Sequence, residues 1–410
     1  MSPPELHALY AFAAALVATA LLTPLTMRLA RSIGAVDRPS ARGLSDRPTP
    51  LLGGLAIFAG VLLAGLLWLP GTTVSFHPGV ASVHWHGVLL AAAVIVVVGA
   101  VDDRFDLHPA IKLAGQIAAA VVAEQYGIVV EHLTVPLLGV LSFPNAGPTL
   151  TVIGLVGMMN VVNFSDGVDG LAAGVCAIIA ATFALIAFNL GTVDAGVLAA
   201  LTAGAALGFL VHNFPPASSF MGDCGANLLG LLMGCIAVAG DLKTTSAIAF
   251  ALPLILLAVP FLDTTFVVLK RLKYGRPVYV ADAEHFHHRL ARIGFSVRHT
   301  VVVLYGWTLM LAGLALALRF IPYSAPGGHL RLGWSLVLAG LGLIVAAASV
   351  YLVYLLEILK FRGHGAPPVV GVQATAEPPA DGSAKHEPPA ARSDALPRRH
   401  PSSAGAPRPL

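Results

Sequence analysis

Charge is scarce in this sequence. Only 11% of its 410 residues are Asp, Glu, Lys or Arg, against roughly 25% in an ordinary soluble domain. At that figure the polar coat of a water-facing protein is missing, which excludes two or three soluble domains. Cysteine is nearly absent too. Cys176, Cys224 and Cys235 fall in or beside apolar runs, and no CxxC pair exists. They read as small core residues, not as disulfides or metal ligands. The net charge of +3 is too small to indicate a nucleic-acid partner. Nor do basic residues precede the first apolar run. The chain is apolar from Leu6, and Arg28 and Arg31 follow that run. A signal peptide has the reverse order, so the first span is expected to be retained.

What is present is apolar. Hydrophobic residues make up 57% of the chain. Runs of about 20 recur, the length that crosses a hydrocarbon layer of about 30 Å as a helix. The pattern predicts an all-α polytopic membrane protein of about eleven spans. Five lie near 6–29, 51–70, 87–101, 109–127 and 149–163. Six more lie near 170–190, 193–212, 226–240, 244–268, 300–320 and 332–359. Between the fourth and fifth, residues 128–144 alternate weakly around Pro136 and Gly139, which suits a short outer β-hairpin.

Sidedness follows from lysine and arginine. With the N-terminus outside, the inner loops and span ends hold sixteen of these residues and the outer loops only Lys243, Arg319 and Arg331. The C-terminus is then inside. Residues 1–362 form the membrane domain. After Gly363 the chain turns to Pro, Ala, Ser and scattered charge, and 363–410 is expected to be a disordered cytoplasmic tail.

Acidic residues gather on the inner face: Asp37, Asp102, Asp103, Asp106, Asp166, Asp169, Asp223, Asp263, Asp282 and Glu284. A carboxylate near hydrocarbon is costly, so each needs a reason. The adjacent pair Asp102 and Asp103 suits a divalent cation or general-base work. Lys112 and Gln116 share one face of the next span, where the lysine can reach a phosphate or the acidic pair. Asn160 and Asn163 share another face, just before Asp166, Gly167, Asp169 and Gly170. Gly222-Asp223-Cys224-Gly225 opens the eighth span, where a helix N-terminus favours anions. Asp282 to Arg289 holds His285, His287, His288 and Arg289, a cationic clamp that suits phosphate. Carboxylates and a clamp together fit diphosphate chemistry at a membrane surface.

The set of motifs resembles the polyprenyl-phosphate N-acetylhexosamine-1-phosphate transferases. It consists of VDRPSARG (36–43), GG (53–54), DDRFDLHPAIKLAGQ (102–116), NVVNFSDGVDGLAAG (160–174), FMGDCGANLLG (220–230), PFLDTT (260–265) and DAEHFHHRL (282–290). The HxHHR form is similar to the GlcNAc-transferring branch. The resemblance implies transfer of a sugar phosphate, most often GlcNAc-1-phosphate, from a UDP-N-acetylhexosamine to undecaprenyl phosphate, with release of UMP. It implies Mg²⁺ (or Mn²⁺) on Asp223, a catalytic set of Asp102, Asp103 and Asp166, and substrate contacts from Lys112, Asn163 and Asp169. Phe220 would stack near uracil, and His285, His287, His288 and Arg289 would hold phosphates. It also implies a bacterial plasma-membrane protein with a cytoplasmic active site that starts a lipid-linked envelope glycan; a homodimer is compatible with it. Two positions depart from the family pattern: Ser45 stands in place of a histidine, and Ala226 in place of a serine. Two rival readings are an intramembrane prenyltransferase, from the Asp-rich motifs, and a proton-coupled transporter. The first leaves the histidine cluster unexplained, and the second expects its carboxylates near the midplane.

Overall fold

A computed structural model describes residues 3–37, 48–69, 83–130, 132–135, 139–143, 145–240, 296–323 and 331–362. Backbone amides in hydrocarbon must find partners within the protein, which favours helices over irregular chain. Ten helices are found among the described residues. They are α1 (Pro3–Ile33), α2 (Gly53–Trp68), α3 (Trp85–Phe105), α4 (Pro109–Gln125) and α5 (Gly147–Ser165). They continue with α6 (Leu171–Leu190), α7 (Val193–Asn213), α8 (Gly222–Ala239), α9 (Val297–Phe320) and α10 (Leu332–Arg362). Eight are long and apolar enough to cross a bilayer; α2 and α4 are shorter, with 16 and 17 residues. The protein is a helical, multi-pass membrane protein.

Two short ribbons complete the described chain. β1 (Val36–Asp37) pairs antiparallel with β2 (Thr49–Pro50), placing Val36 opposite Pro50. β3 (His132–Val135) pairs with β4 (Gly139–Ser142), placing His132 opposite Ser142. The second ribbon is the hairpin expected within 128–144. The expected ninth span at 244–268 lies outside the described residues, as does the tail from 363.

Two helix ends differ from the sequence reading in a way that matters. The third span runs on to Phe105 instead of stopping near 101, so Asp102 and Asp103 lie in its last turn. The eighth begins at Gly222 instead of 226, so Asp223 lies in its first turn. Charge ends an apolar run, but it does not end a helix whose carboxylates find partners.

α8 stands at the centre, packed against α2, α3, α4, α5, α6 and α7. Every residue from Cys224 to Ile236 is buried. Small residues allow this crowding, as they do wherever membrane helices meet closely. A Cβ on Gly99 of α3 would lie 2.3 Å from the Cys224 Cα, and one on Gly54 of α2 would lie 2.2 Å from the Gly225 N. α1 and α10 sit on the outside and leave most of their apolar surface exposed. All three cysteines are free and buried.

Candidate active site

The polar residues of α4, α5 and α8 meet in two layers. In the first, the Lys112 ammonium on α4 donates to Asp223 Oδ2 at 3.2 Å, and the Asn163 amide on α5 donates to Asp223 Oδ1 at 3.0 Å. In the second, Gln116 Nε2 donates to Asn227 Oδ1 at 2.8 Å, and Asn160 Nδ2 donates to Gln116 Oε1 at 2.8 Å. Each helix supplies one residue to each layer, because positions three or four apart share a helix face. The layers are one turn apart, about 5.4 Å along each axis.

α3 brings the adjacent aspartates, and the structure gives them different partners. Asp102 Oδ2 meets the Lys112 ammonium at 2.6 Å, while its Oδ1 accepts from the Leu107 N–H at 2.8 Å. Lys112 therefore bridges Asp102 and Asp223. Asp103 instead caps α8. Its Oδ1 accepts from the Asp223 N–H at 2.6 Å and its Oδ2 from the Cys224 N–H at 3.3 Å. The sequence suggested that this helix N-terminus favours an anion, and the group that caps it here is the Asp103 side chain. Gly222 is required beside it, with φ +69° and a would-be Cβ 2.3 Å from the Asp103 carboxylate.

The turn between α5 and α6 carries Asp166 and Asp169. Among the described residues the Asp166 carboxylate accepts no hydrogen bond. Burial, with Asp223, Asp103 and Asp169 nearby, holds its carboxyl well above the usual carboxylate range. Burial also raises Asp169, although the Ala217 N–H donates to its Oδ2 at 2.8 Å and favours the charged form. Asp169 thereby ties this turn to the chain between α7 and α8. The Gly170 N–H donates to Asn213 Oδ1 at 2.8 Å, and Asn213 Nδ2 donates to the Ser219 carbonyl at 2.9 Å. From α9, the Tyr305 hydroxyl donates to the Gly170 carbonyl and Arg298 Nε to the Pro215 carbonyl at 2.7 Å.

Asp102 and Asp223 thus flank Lys112, and Asp166 has Asp103, Asp169 and Asp223 near it, where the last turns of α3 and α5 meet the first turns of α4 and α8. Residues 85–241 match the Glycosyl transferase family 4 model. The chain is 35% identical over 302 residues to a probable undecaprenyl-phosphate N-acetylglucosaminyl 1-phosphate transferase of Bacillus subtilis, covering 72% of this chain and 80% of that one. It is 35% identical over 377 residues to the decaprenyl-phosphate N-acetylglucosaminephosphotransferase of Mycobacterium tuberculosis, covering 85% and 89%. It is also 28% identical over 312 residues to an undecaprenyl-phosphate alpha-N-acetylglucosaminyl 1-phosphate transferase of Salmonella typhi, covering 74% and 81%. This chain belongs to the polyprenyl-phosphate N-acetylglucosamine-1-phosphate transferases.

In the transferase, Asp102, Asp103, Lys112, Asn163, Asp166, Asp169 and Asp223 all lie at one end of the bundle. Phe220 is half-buried beside them, its N–H donating to the Pro50 carbonyl at 3.0 Å and its carbonyl accepting from the Gly53 N–H at 3.0 Å. The VDRPSARG loop, Ser45, and the cluster His285, His287, His288 and Arg289 lie outside the described residues. Ala226 is 1% exposed and packed in the core, so this departure from the family pattern changes packing and not a surface contact. Four described residues with a place in the site were not singled out from sequence: Asn227, Asn213, Arg298 and Tyr305. Asn227 had a signal, standing one turn beyond Asp223. The others bond to backbone atoms of chain that is distant in sequence, which no local pattern announces.

Proposed function

We propose that the transferase moves GlcNAc-1-phosphate from UDP-GlcNAc to undecaprenyl phosphate, releasing UMP and starting a lipid-linked envelope glycan. The convergence of Asp223, Lys112, Asn163 and Asp102 at one end of a membrane bundle carries this reading. The relatives' shared acceptor class and sugar support it. That end is read as cytoplasmic in a bacterial plasma membrane, because lysine and arginine crowd the loops on its side.

A divalent cation fits this donor set. The described aspartates offer hard carboxylate oxygens, and the Asp166 carboxylate is unbonded among the described residues. No group of three or more His, Cys, Asp or Glu side chains forms a metal cage among the described residues. Mg²⁺ needs only one or two carboxylates and completes its shell with water and substrate phosphates. Asp223 would hold it, and when bound it neutralises charge on the diphosphate.

The residues themselves do the positioning. A lipid phosphate oxygen attacks the sugar-bearing phosphorus, a new P–O bond forms, and the bond to the UMP oxygen breaks. Lys112 and Asn163 fix the Asp223 carboxylate, and Lys112 can move its charge onto a phosphate as the diphosphate enters. Asp103 holds the first turn of α8, and so Asp223, in place. Asp102 and Asp166 are the carboxylates able to take a proton from the lipid phosphate. Its second pKa of about 6 leaves it mostly ionised near pH 7, so alignment and charge neutralisation outweigh base strength. Phe220 would stack on uracil, and His285, His287, His288 and Arg289 would clamp phosphates.

The test is purified full-length protein with UDP-GlcNAc, undecaprenyl phosphate and Mg²⁺. UMP release that needs the lipid phosphate and vanishes in Asp223→Ala is expected. UMP release without lipid phosphate, or none with any UDP-sugar, would overturn the reading.

A further inference from the structure

We infer that Gln116, Asn227 and Asn160 form a positioning layer for the reaction, one turn below the carboxylates and touching no substrate. The inference rests on the proposed transfer reaction. Gln116 and Asn227 are 6% and 5% exposed, so water does not compete for their amides. Their bonds run in one direction. Asn160 Nδ2 donates to the Val156 carbonyl at 2.8 Å and to Gln116 Oε1 at 2.8 Å. Gln116 Nε2 donates to Asn227 Oδ1, and Asn227 Nδ2 donates to the Asp223 carbonyl at 2.8 Å. The chain of donors ends on the backbone of the residue whose carboxylate the charged layer holds.

Gln116 uses its amide donor and its acceptor on two different helices, so it sets the height and rotation of α4 against both α5 and α8. In a buried site such bonds are strong, and leaving one partner unpaired is costly. Lys112 stands one turn above Gln116, and Asn163 one turn above Asn160. Registering the lower layer therefore sets where both donors meet the Asp223 carboxylate. A misplacement of about 1 Å among reacting groups can cost on the order of a hundredfold in rate. The layer consequently acts on kcat, through Asp223, and not on substrate affinity.

The experiment compares wild type, Gln116→Met, Asn227→Leu and their double variant as full-length protein in lipid nanodiscs. It reads UMP release against UDP-GlcNAc concentration and thermal unfolding on the same samples. Gln116→Met keeps the side-chain length and removes both bonds. Its kcat per folded molecule is expected to fall about tenfold or more with KM changed less than about threefold. The double variant is expected to be no more than about threefold slower than the slower single variant, since residues acting as a unit are not additive. Asn160→Ala, at the half-buried edge of the layer, is expected to show a smaller loss in kcat of about threefold. It serves if either core variant fails to fold. A lowered unfolding temperature with kcat and KM unchanged, or a loss confined to KM, would overturn the inference. If wild type releases no UMP, the reaction itself is misassigned and the positioning role falls with it. An active wild type beside unaffected variants removes the layer's role alone.

Discussion

The backbone N–H of Asp223 donates to the side chain of Asp103 at 2.6 Å. Asp103 is adjacent in sequence to Asp102, yet the two carboxylates have separate duties. Asp102 pairs with Lys112, and Asp103 closes the N-terminus of α8, where a charged cap also meets the helix dipole.

Asp103→Asn and Asp102→Asn should therefore fail differently. Asp103→Asn replaces one acceptor by a donor facing an N–H group, and should cost about 1–2 kcal/mol of stability. It should also lower turnover, by shifting Asp223. Asp102→Asn should keep most of the stability and lose turnover, because its partner Lys112 retains Asp223. Thermal unfolding and UMP release on the same preparations separate the two. Near-normal turnover in both would remove the acidic pair from catalysis.

Lys112 lies between Asp102 and Asp223, the residue that would hold the cation, at 2.6 and 3.2 Å. Two cations so close repel, so the ammonium competes with a divalent ion for Asp223. Lys112→Met should bind Mn²⁺ more tightly, on the order of tenfold, while turning over more slowly. Mn²⁺ titration followed by electron paramagnetic resonance, with no substrate present, reads the affinity. Weaker binding in Lys112→Met would show that the lysine organises the cation site and does not compete for it.

Burial, with the Asp223, Asp103 and Asp169 carboxylates nearby, raises the Asp166 carboxyl pKa. The sign follows directly. The native state holds this proton more tightly than the unfolded chain, whose aspartates ionise near pH 4. Its contribution to stability is present at low pH and is lost as pH rises from about 4 through the native value. Asp166→Asn should flatten the fall of unfolding temperature with pH, be more stable at pH 8, and be inactive. Unfolding profiles from pH 5 to 8 without divalent ions decide this.

Gly99→Ala tests how tightly α8 is held. The added Cβ would meet the Cys224 backbone at 2.3 Å, and backbone cannot give way as a flexible side chain can. Overpacking of this kind costs about 1–3 kcal/mol, and here it pushes on the turn that carries Asp223. Lower thermal stability and lower turnover are expected together. An unchanged protein would mean that α3 and α8 can separate without consequence.

Much of this site was legible before any coordinates. Asp102, Asp166 and Asp223 drew notice because charge at the edge of hydrocarbon demands a reason, and Lys112 and Gln116 because their spacing shares a face. The hairpin at 132–142 was legible from its turn residues. Less visible was the difference between Asp102 and Asp103. Two identical neighbours have no local feature that tells which will cap a helix 120 positions away. Asn227 was marked only by its spacing, one turn beyond Asp223, and Tyr305 and Arg298 bond to backbone carbonyls that leave no mark on sequence.

Composition and periodicity by themselves determined a membrane bundle with its polar chemistry at the span ends, because hydrocarbon penalises exposed backbone and unpaired charge at every position. Tertiary structure decided which polar groups meet. Glycine contacts drew α2 and α3 onto α8, and shared helix faces on α4, α5 and α8 stacked into two layers. A hydrogen bond forms only within about 3 Å, and that distance is set by packing, not by order along the chain.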